Sequence, residues 1–350
     1  MDLISTYVNG VSELTNFSRS LEQAPLIVDV IVNPHAGFFK SQATVRKLIQ
    51  ELESKLDDLR RSHPRRKVEI NTVHFTERPG HARLITEAIM NTEEKSVTGI
   101  ERLLIGCGGD GTSNEICSAL VHADASLLDR LKLLRLPLGT GNDVADAHTF
   151  SDAYDLILGP QRTQKTGALL VTAGAAAPRY SFNVGSIGLD AYIAGLTNRF
   201  KRVIPGDAYK SLVDFGSLFY EQRVNPQPID ITIHGESSVT TVPAFVPSMV
   251  VVGISGARTY GGHLPVLPGS ENVCLIGEMS ALRKIRVKKL FYLGKHGELP
   301  EVSFYRAHRV DVGYKGRIPM QLDGELTWLD PGDFPVTMQI LEPKIKVLRN

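Results

Sequence analysis

The hydrophobic positions along this chain change their rhythm once, near residue 160. From Leu26 the run LIVDVIV (26–32) is almost continuously apolar, as expected of a strand buried on both faces. The turn NPHAG follows. Val45, Leu48, Ile49, Leu52, Leu56 and Leu59 then recur at three- and four-residue spacing, which predicts one apolar face of a helix. The unit repeats. KVEINTVHF (67–75) precedes a helix opening near Pro79, a residue favoured in a first turn. ERLLIG (101–106) precedes TSNEICSALV, and LKLLRLP (131–137) precedes GTGND and another short helix. Such alternation predicts parallel pairing with right-handed crossovers. Ligands of open parallel sheets collect at the carboxyl ends of the strands. The four turns of unusual composition, NPHAG, FTERPG, GGDGT and GTGND, all fall there.

Beyond residue 160 short strand-like runs take over: ALLVTA, YSFNVG, IDITIH, SMVVVGIS, NVCLI, VSFYRAHRVDVGY and PMQL. A helical stretch interrupts them around 188–220. The expected organisation is a polar N-terminal extension over 1–24, which could be helical, and an α/β domain with a mainly parallel, Rossmann-like sheet over 25–155. A β-rich, β-sandwich-like domain over 156–333 follows, then a C-terminal segment, 334–350, whose strand PVTMQILE could return to the first domain.

Composition narrows the class. The chain has 350 residues, 42% hydrophobic and 22% charged, which suits a globular protein of one large or two ordinary domains. Lys+Arg number 39 and Asp+Glu 38, so global charge gives no hold on nucleic acid, and no such partner is expected. Cys107, Cys117 and Cys274 lack metal-type spacing and read as free thiols of a reducing compartment. No signal peptide and no run of about 20 apolar residues is visible. A cytoplasmic location is expected, with any membrane contact peripheral, at the inner surface.

The stretch GCGGDGTSNEIC (106–117) puts four glycines in six positions and an aspartate among them. Gly106, Gly108 and Gly111 fit the dinucleotide pattern literally, between a strand and a helix. Asp110, however, would aim a negative charge at the pyrophosphate. A carboxylate beside phosphate makes sense when a divalent cation lies between them, which favours ATP with Mg²⁺ over a bare dinucleotide. No P-loop pattern occurs, so phosphate would be held by glycine-turn amides and helix N-termini. A tight turn without a ligand is the plain alternative. Thr112 and Ser113 could be N-cap residues, with Glu115 at capping-box distance from Thr112. Asn142 and Asp143 could likewise be Asx caps.

GGDGTSNEI, PLGTGND, VNPHAG, IGLDA (187–191) and LDGE (322–325) together resemble the diacylglycerol kinase catalytic-domain family, which includes sphingosine and bacterial lipid kinases. The matching motifs run from Asn33 to Glu325. The resemblance implies a lipid kinase with a cleft between an α/β nucleotide domain and a β-rich lipid domain, meeting its lipid substrate at a membrane surface. It further implies that Asn33, Pro34 and the backbone to Gly37 line the nucleotide pocket, with Thr76 and Gly80 on a second contacting turn. Gly109, Asp110, Gly111, Thr112, Asn114 and Glu115 would wrap the phosphates, Asp110 through Mg²⁺. Thr140 would donate to the nucleotide, and Asn142 and Asp143 would shape the same edge.

Phosphoryl transfer to a hydroxyl needs a base. The resemblance implies Glu325 in LDGE, with Asp110 as the second candidate. Asp323 is placed to share a strand face with Glu325, although a D-G-E run also fits a hairpin turn. Relatives carry an Asp-Gly pair near a structural Mg²⁺ where PVLPGSENVCL has Glu271-Asn272, so Glu271 is a candidate metal ligand. The basic run LRKIRVKK (282–289) reads as a solvated face or as a site for anionic headgroups. An NAD kinase shares GGDGT but not PLGTGND. A catalytically silent nucleotide-binding regulator is the alternative of another class.

Overall fold

The computed structural model describes residues 2–18, 26–63, 68, 70–93, 100–159, 162–200, 208–260 and 264–349. Residues 19–24 of the predicted extension, 67 and 69 of the predicted strand, and 201–207 of the predicted helical stretch lie outside these. The chain divides into two units, Met1–Thr166 with Pro343–Asn350, and Gly167–Glu342.

In the first unit, β1 (Leu26–Val32) is buried along its whole length, as the apolar run requires. It pairs in parallel with β2 (Ile70–Phe75) and β3 (Glu101–Gly108), and β3 pairs in parallel with β4 (Leu131–Pro137). Val32 lies opposite Phe75 and Cys107, and Gly108 opposite Pro137, so these strands end level and deliver their loops to one edge. The carboxylate in the middle of β1, Asp29, is held by Arg102 of β3 and by His74 of β2, whose Nε2 is 3.1 Å away. That pairing lets a charge sit in a strand otherwise buried in apolar side chains.

The opening segment is helical, and one face of it is buried. Helix α1 (Leu3–Leu14) has Tyr7, Val8, Val11 and Leu14 fully buried. They recur at one-, three- and three-residue steps, which gathers them on one face. Its core partners include Val45, Leu48, Leu52 and Leu56 of α2 (Gln42–Ser62), a helix whose N-cap Ser41 accepts from the Thr44 amide. The Tyr7 and Tyr154 hydroxyls meet at 3.2 Å, and burial raises both pKa values.

Two C-terminal strands share the same alternating pattern and part ways. Val336–Ile340, inside PVTMQILE, pairs with Arg309–Gly313 and Leu169–Ala173 and stays in the second unit. The strand that returns to the first sheet is Ile345–Arg349, parallel to β4 and antiparallel to Arg162–Thr166. Asp146 fastens it. This buried carboxylate takes a fork from Arg135 at 3.1 and 2.7 Å, the Arg135 amide at 2.7 Å, and Arg349 Nη1 at 2.5 Å.

The second unit is a sandwich of two antiparallel six-stranded sheets, with Ile231, Val310 and Met338 of one and Ile187, Val250 and Met320 of the other in a common core. The run VSFYRAHRVDVGY forms two strands, Val302–Tyr305 and Arg309–Gly313, one in each sheet. Asn272 stitches that crossover, donating to the Ala307 carbonyl at 2.9 Å and accepting from the Ala307 amide at 2.9 Å. The basic run 282–289 lies within a helix, Ala281–Tyr292, started by the Ser280 side chain. Among the described residues no helix is long and apolar enough to cross a membrane. Cys107, Cys117 and Cys274 are buried and form no disulfide.

Asp146→Ala would leave the buried Arg135 guanidinium without its partner. It should destabilise the chain by about 3–5 kcal/mol, the usual loss when one half of a buried ion pair is removed. Urea unfolding followed by far-UV circular dichroism measures this; a loss under 1 kcal/mol, the range of surface pairs, would show the tether to be dispensable.

Candidate active site

Three of the sequence-flagged turns of the first unit meet at the carboxyl edge of β1, β3 and β4. The GGDGT and GTGND turns touch backbone to backbone. A side chain at Gly139 would bring its Cβ within 2.7 Å of the Gly109 Cα, so this approach admits only glycine. The NPHAG turn joins them through the Phe38 amide, which donates to the Leu138 carbonyl at 3.1 Å, and through Gly37, which lies against Thr140. Asn33 links further. Its Nδ2 donates to Thr112 Oγ1 at 3.0 Å, its Oδ1 accepts from the His35 amide at 2.9 Å, and Pro34 lies inside that Asx turn.

Helix α3 (His81–Glu93) and helix α4 (Asp110–Leu120) follow the FTERPG and GGDGT turns. The N-cap of α4 is Gly109, so Thr112 and Ser113 are first-turn residues rather than caps. Glu115 makes no capping box with Thr112. Its carboxylate accepts from the Gly80 amide at 2.7 Å and the Ala82 amide at 3.0 Å, closing the start of α3 instead. Thr76 is buried, with its amide on the Val32 carbonyl at 2.8 Å. Asn114 Oδ1 accepts from Ser118 at 3.3 Å. Gly111 faces open space, where a ligand could approach the helix backbone.

Asn142 is a turn builder. It adopts a left-handed conformation, φ 58°, accepts from the Gly139 amide at 2.7 Å and donates to the Pro137 carbonyl at 3.1 Å. Asp110 Oδ1 accepts from the Val144 amide at 3.2 Å, while Oδ2 has no hydrogen-bond partner among the described residues. A Cβ placed on Gly141 would lie 2.8 Å from Asp110 Oδ2 and 3.4 Å from Asp143 Oδ2. Two carboxylate oxygens thus converge over a residue without a side chain, beside a helix N-terminus. Hard oxygen donors of this kind fit Mg²⁺.

In the second unit LDGE makes a two-residue hairpin. Leu322 pairs with Glu325 across Asp323 and Gly324, whose φ values of 49° and 87° are those of a type I′ turn. Asp323 therefore does not share a strand face with Glu325. Its carboxylate accepts from Ser181 Oγ at 2.6 Å and from the amides of Phe182, Asn183 and Val184 at 2.7, 3.0 and 3.2 Å. Glu325 opens the strand Glu325–Leu329 and is exposed. Half-buried Arg179 bonds Thr327 and feels the Glu325 charge. Glu271 leans over Gly269, and its neighbour Asn272 is committed to the sheet crossover. One carboxylate is a thin donor set for an octahedral ion, and Asp110 with Asp143 fits better.

The second unit also holds a cavity of about 390 Å³, which sequence reasoning missed. Leu189, Ile193, Met249, Val266, Met279 and Phe291 supply much of its apolar wall. Ser248 Oγ and His296 Nδ1, also on the lining, are buried without hydrogen-bond partners among the described residues. His296 Nε2 lies 3.2 Å from the Val266 carbonyl, which can only accept, and burial lowers its pKa. The ring is therefore neutral at neutral pH, with Nδ1 as an acceptor. Asp190, from the flagged IGLDA motif, is buried on the same lining, and burial raises its pKa against hydrogen bonds from Ser186 and Gln321. No sequence signal marked Ser248 or His296.

Comparison with known proteins gives these sites a family. The diacylglycerol kinase catalytic domain matches residues 28–166, and the YegS C-terminal NAD kinase beta sandwich-like domain matches 183–349. A protein of Xanthomonas oryzae pv. oryzae, described as a probable lipid kinase YegS-like, is 33% identical over 63% of this chain and 72% of its own. A diacylglycerol kinase of Bacillus subtilis is 23% identical over 66% of this chain and 74% of its own. The crystal structure of a diacylglycerol kinase from Bacillus anthracis superposes with a TM-score of 0.54 at 17% identity, over 93% of this chain and 97% of the other, and so shares the fold. The chain belongs to the diacylglycerol kinase catalytic-domain family, with a YegS-type C-terminal domain.

Proposed function

We propose that this protein is an ATP-dependent lipid kinase that transfers the γ-phosphoryl group to the hydroxyl of a diacylglycerol-like lipid. The observation that carries the choice of a lipid is the largely apolar cavity of the second unit, a size suited to a small ligand or part of a larger one. NAD, a charged and hydrogen-bonding acceptor, would leave that lining without a purpose. The unpartnered Ser248 Oγ and His296 Nδ1 would receive a polar group of the lipid, such as a hydroxyl or an ester linkage.

The nucleotide would lie over the Gly109–Gly139 contact, its phosphates on the amides of Gly109–Thr112 and the N-terminus of α4. Asn33 and Thr140 would border it. Mg²⁺, held by Asp110 with Asp143, would supply charge neutralisation of the phosphates. Asn142 and Glu115 would act indirectly, keeping the GTGND turn and the start of α3 in place. Glu325 would take the proton of the acceptor hydroxyl, and Asp323 would fix the hairpin that presents it.

Incubation with radiolabelled ATP, Mg²⁺ and either a total lipid extract or NAD separates the acceptors. Label is expected in an organic-phase product whose mass exceeds a lipid's by one phosphoryl group; label on NAD, or none on either, would overturn the assignment. Glu325→Gln should leave nucleotide affinity within a factor of about two and lower turnover by about 10²–10⁴, the span of general-base loss. Steady-state kinetics beside ATP titration calorimetry reads both quantities. Asp110→Asn should weaken Mg²⁺-dependent nucleotide binding. Unchanged binding with lost turnover in that variant would move the base role to Asp110.

A further inference from the structure

We propose that the helix Ala281–Tyr292 docks the second unit on an anionic bilayer, beside the mouth of its apolar cavity. The docking itself stands apart from the kinase reading, which supplies only the identity of the molecule that would enter the cavity.

Large hydrophobic side chains are exposed at seven described positions, and four of them, Leu282, Ile285, Tyr292 and Leu293, belong to this helix or its C-cap. Leu282 is 75% exposed and Leu293 55%. The segment 281–295 carries six basic residues and no acidic one. Arg283 is paired with Glu301 and Lys284 with Glu221, whereas Arg286 and Lys289 make no ion pair among the described residues. Steps of four, three and four residues stack Leu282, Arg286, Lys289 and Leu293 into one outward stripe. A solvated helix face would carry both signs of charge and few exposed leucines. Unpaired cations between leucines match a bilayer interface, where phosphates meet the cations and the acyl boundary takes the leucines.

The adjacent face of the helix looks into the cavity. Lys284, Ile285, Lys288, Phe291 and Tyr292 all line it. Ile285 and Tyr292 are at once lining and exposed, so the cavity opens next to the stripe. A lipid tail could pass from a bilayer against the stripe into the cavity without crossing water. A second copy of the chain fits the stripe poorly. A two-fold contact sets a patch against itself, and here basic residues would face basic residues.

Co-sedimentation with vesicles tests the docking. The wild-type chain should bind vesicles of phosphatidylcholine with phosphatidylglycerol, release them as salt rises, and bind phosphatidylcholine alone weakly. At roughly fivefold per cation, Arg286→Gln with Lys289→Gln should weaken binding about 25-fold. Leu282→Ser with Leu293→Ser should weaken binding at high salt as well. Thermal unfolding checks that both variants fold, and wild-type salt dependence carries the test if either does not. Equal binding to neutral and anionic vesicles, binding to neither, or wild-type affinity in the variants would overturn the proposal. So would a dimer in light scattering that Leu282→Ser with Leu293→Ser dissociates. Phosphorylation of lipid in detergent micelles without vesicle binding would remove the docking and leave the kinase reading; vesicle binding without phosphorylation would do the reverse.

Discussion

The close approach of Gly139 to Gly109 is the constraint on which the first unit's site depends. Two loops that follow neighbouring parallel strands cannot touch through their backbones if either carries a side chain at the crossing. Because β3 and β4 end level, the contact falls at the carboxyl edge, and the N-terminus of α4 opens beside it. Much of the rest is buttressing. Asn142 folds one loop back on itself, Asn33 ties the β1 turn to Thr112, and Glu115 draws in the start of α3.

The parallel sheet was legible because its strands are apolar runs and its helices carry apolar residues at helical spacing, as with LIVDVIV and Val45 to Leu56. The roles of polar residues within the motifs were less so. Glu115 stands three residues from Thr112, the spacing of a capping box, yet its carboxylate reaches amides 33 and 35 residues away in the chain. Local spacing reports only local partners. Asp323 and Glu325 are two residues apart, a strand-face spacing, but left-handed Asp323 and Gly324 place a turn between them. The D-G pair itself was the available signal for that turn.

The features that stayed open in the sequence share one physical cause. A short amphipathic segment does not record which apolar surface it buries against. PVTMQILE and Ile345–Arg349 carry similar alternation, and the choice of sheet is made by long-range partners, Arg349 with Asp146 among them. Helix α1 alternates apolar residues with Ser, Thr, Asn and Glu, and its four fully buried side chains gather on one face. The cavity was invisible for the same reason. Its lining comes from segments scattered between Leu189 and His296, and no spacing marks a concave surface.

Electrostatics separates the acidic residues by what surrounds them. Asp29 and Asp146 are buried carboxylates answered by guanidinium groups, and Asp323 is answered by three amides and a hydroxyl. Each is satisfied by the protein alone, so each serves the fold. Asp110 is different, because one oxygen is bonded and the other shares the space over Gly141 with Asp143. Two carboxylate oxygens facing one gap leave room for a cation between them, and a polyphosphate brought alongside would add more negative charge to the same space. A doubly charged ion held there would offset those charges and draw the phosphates as well. On the proposed reading such a site would bind nucleotide and metal together better than either alone, the coupling a kinase needs before its acceptor arrives.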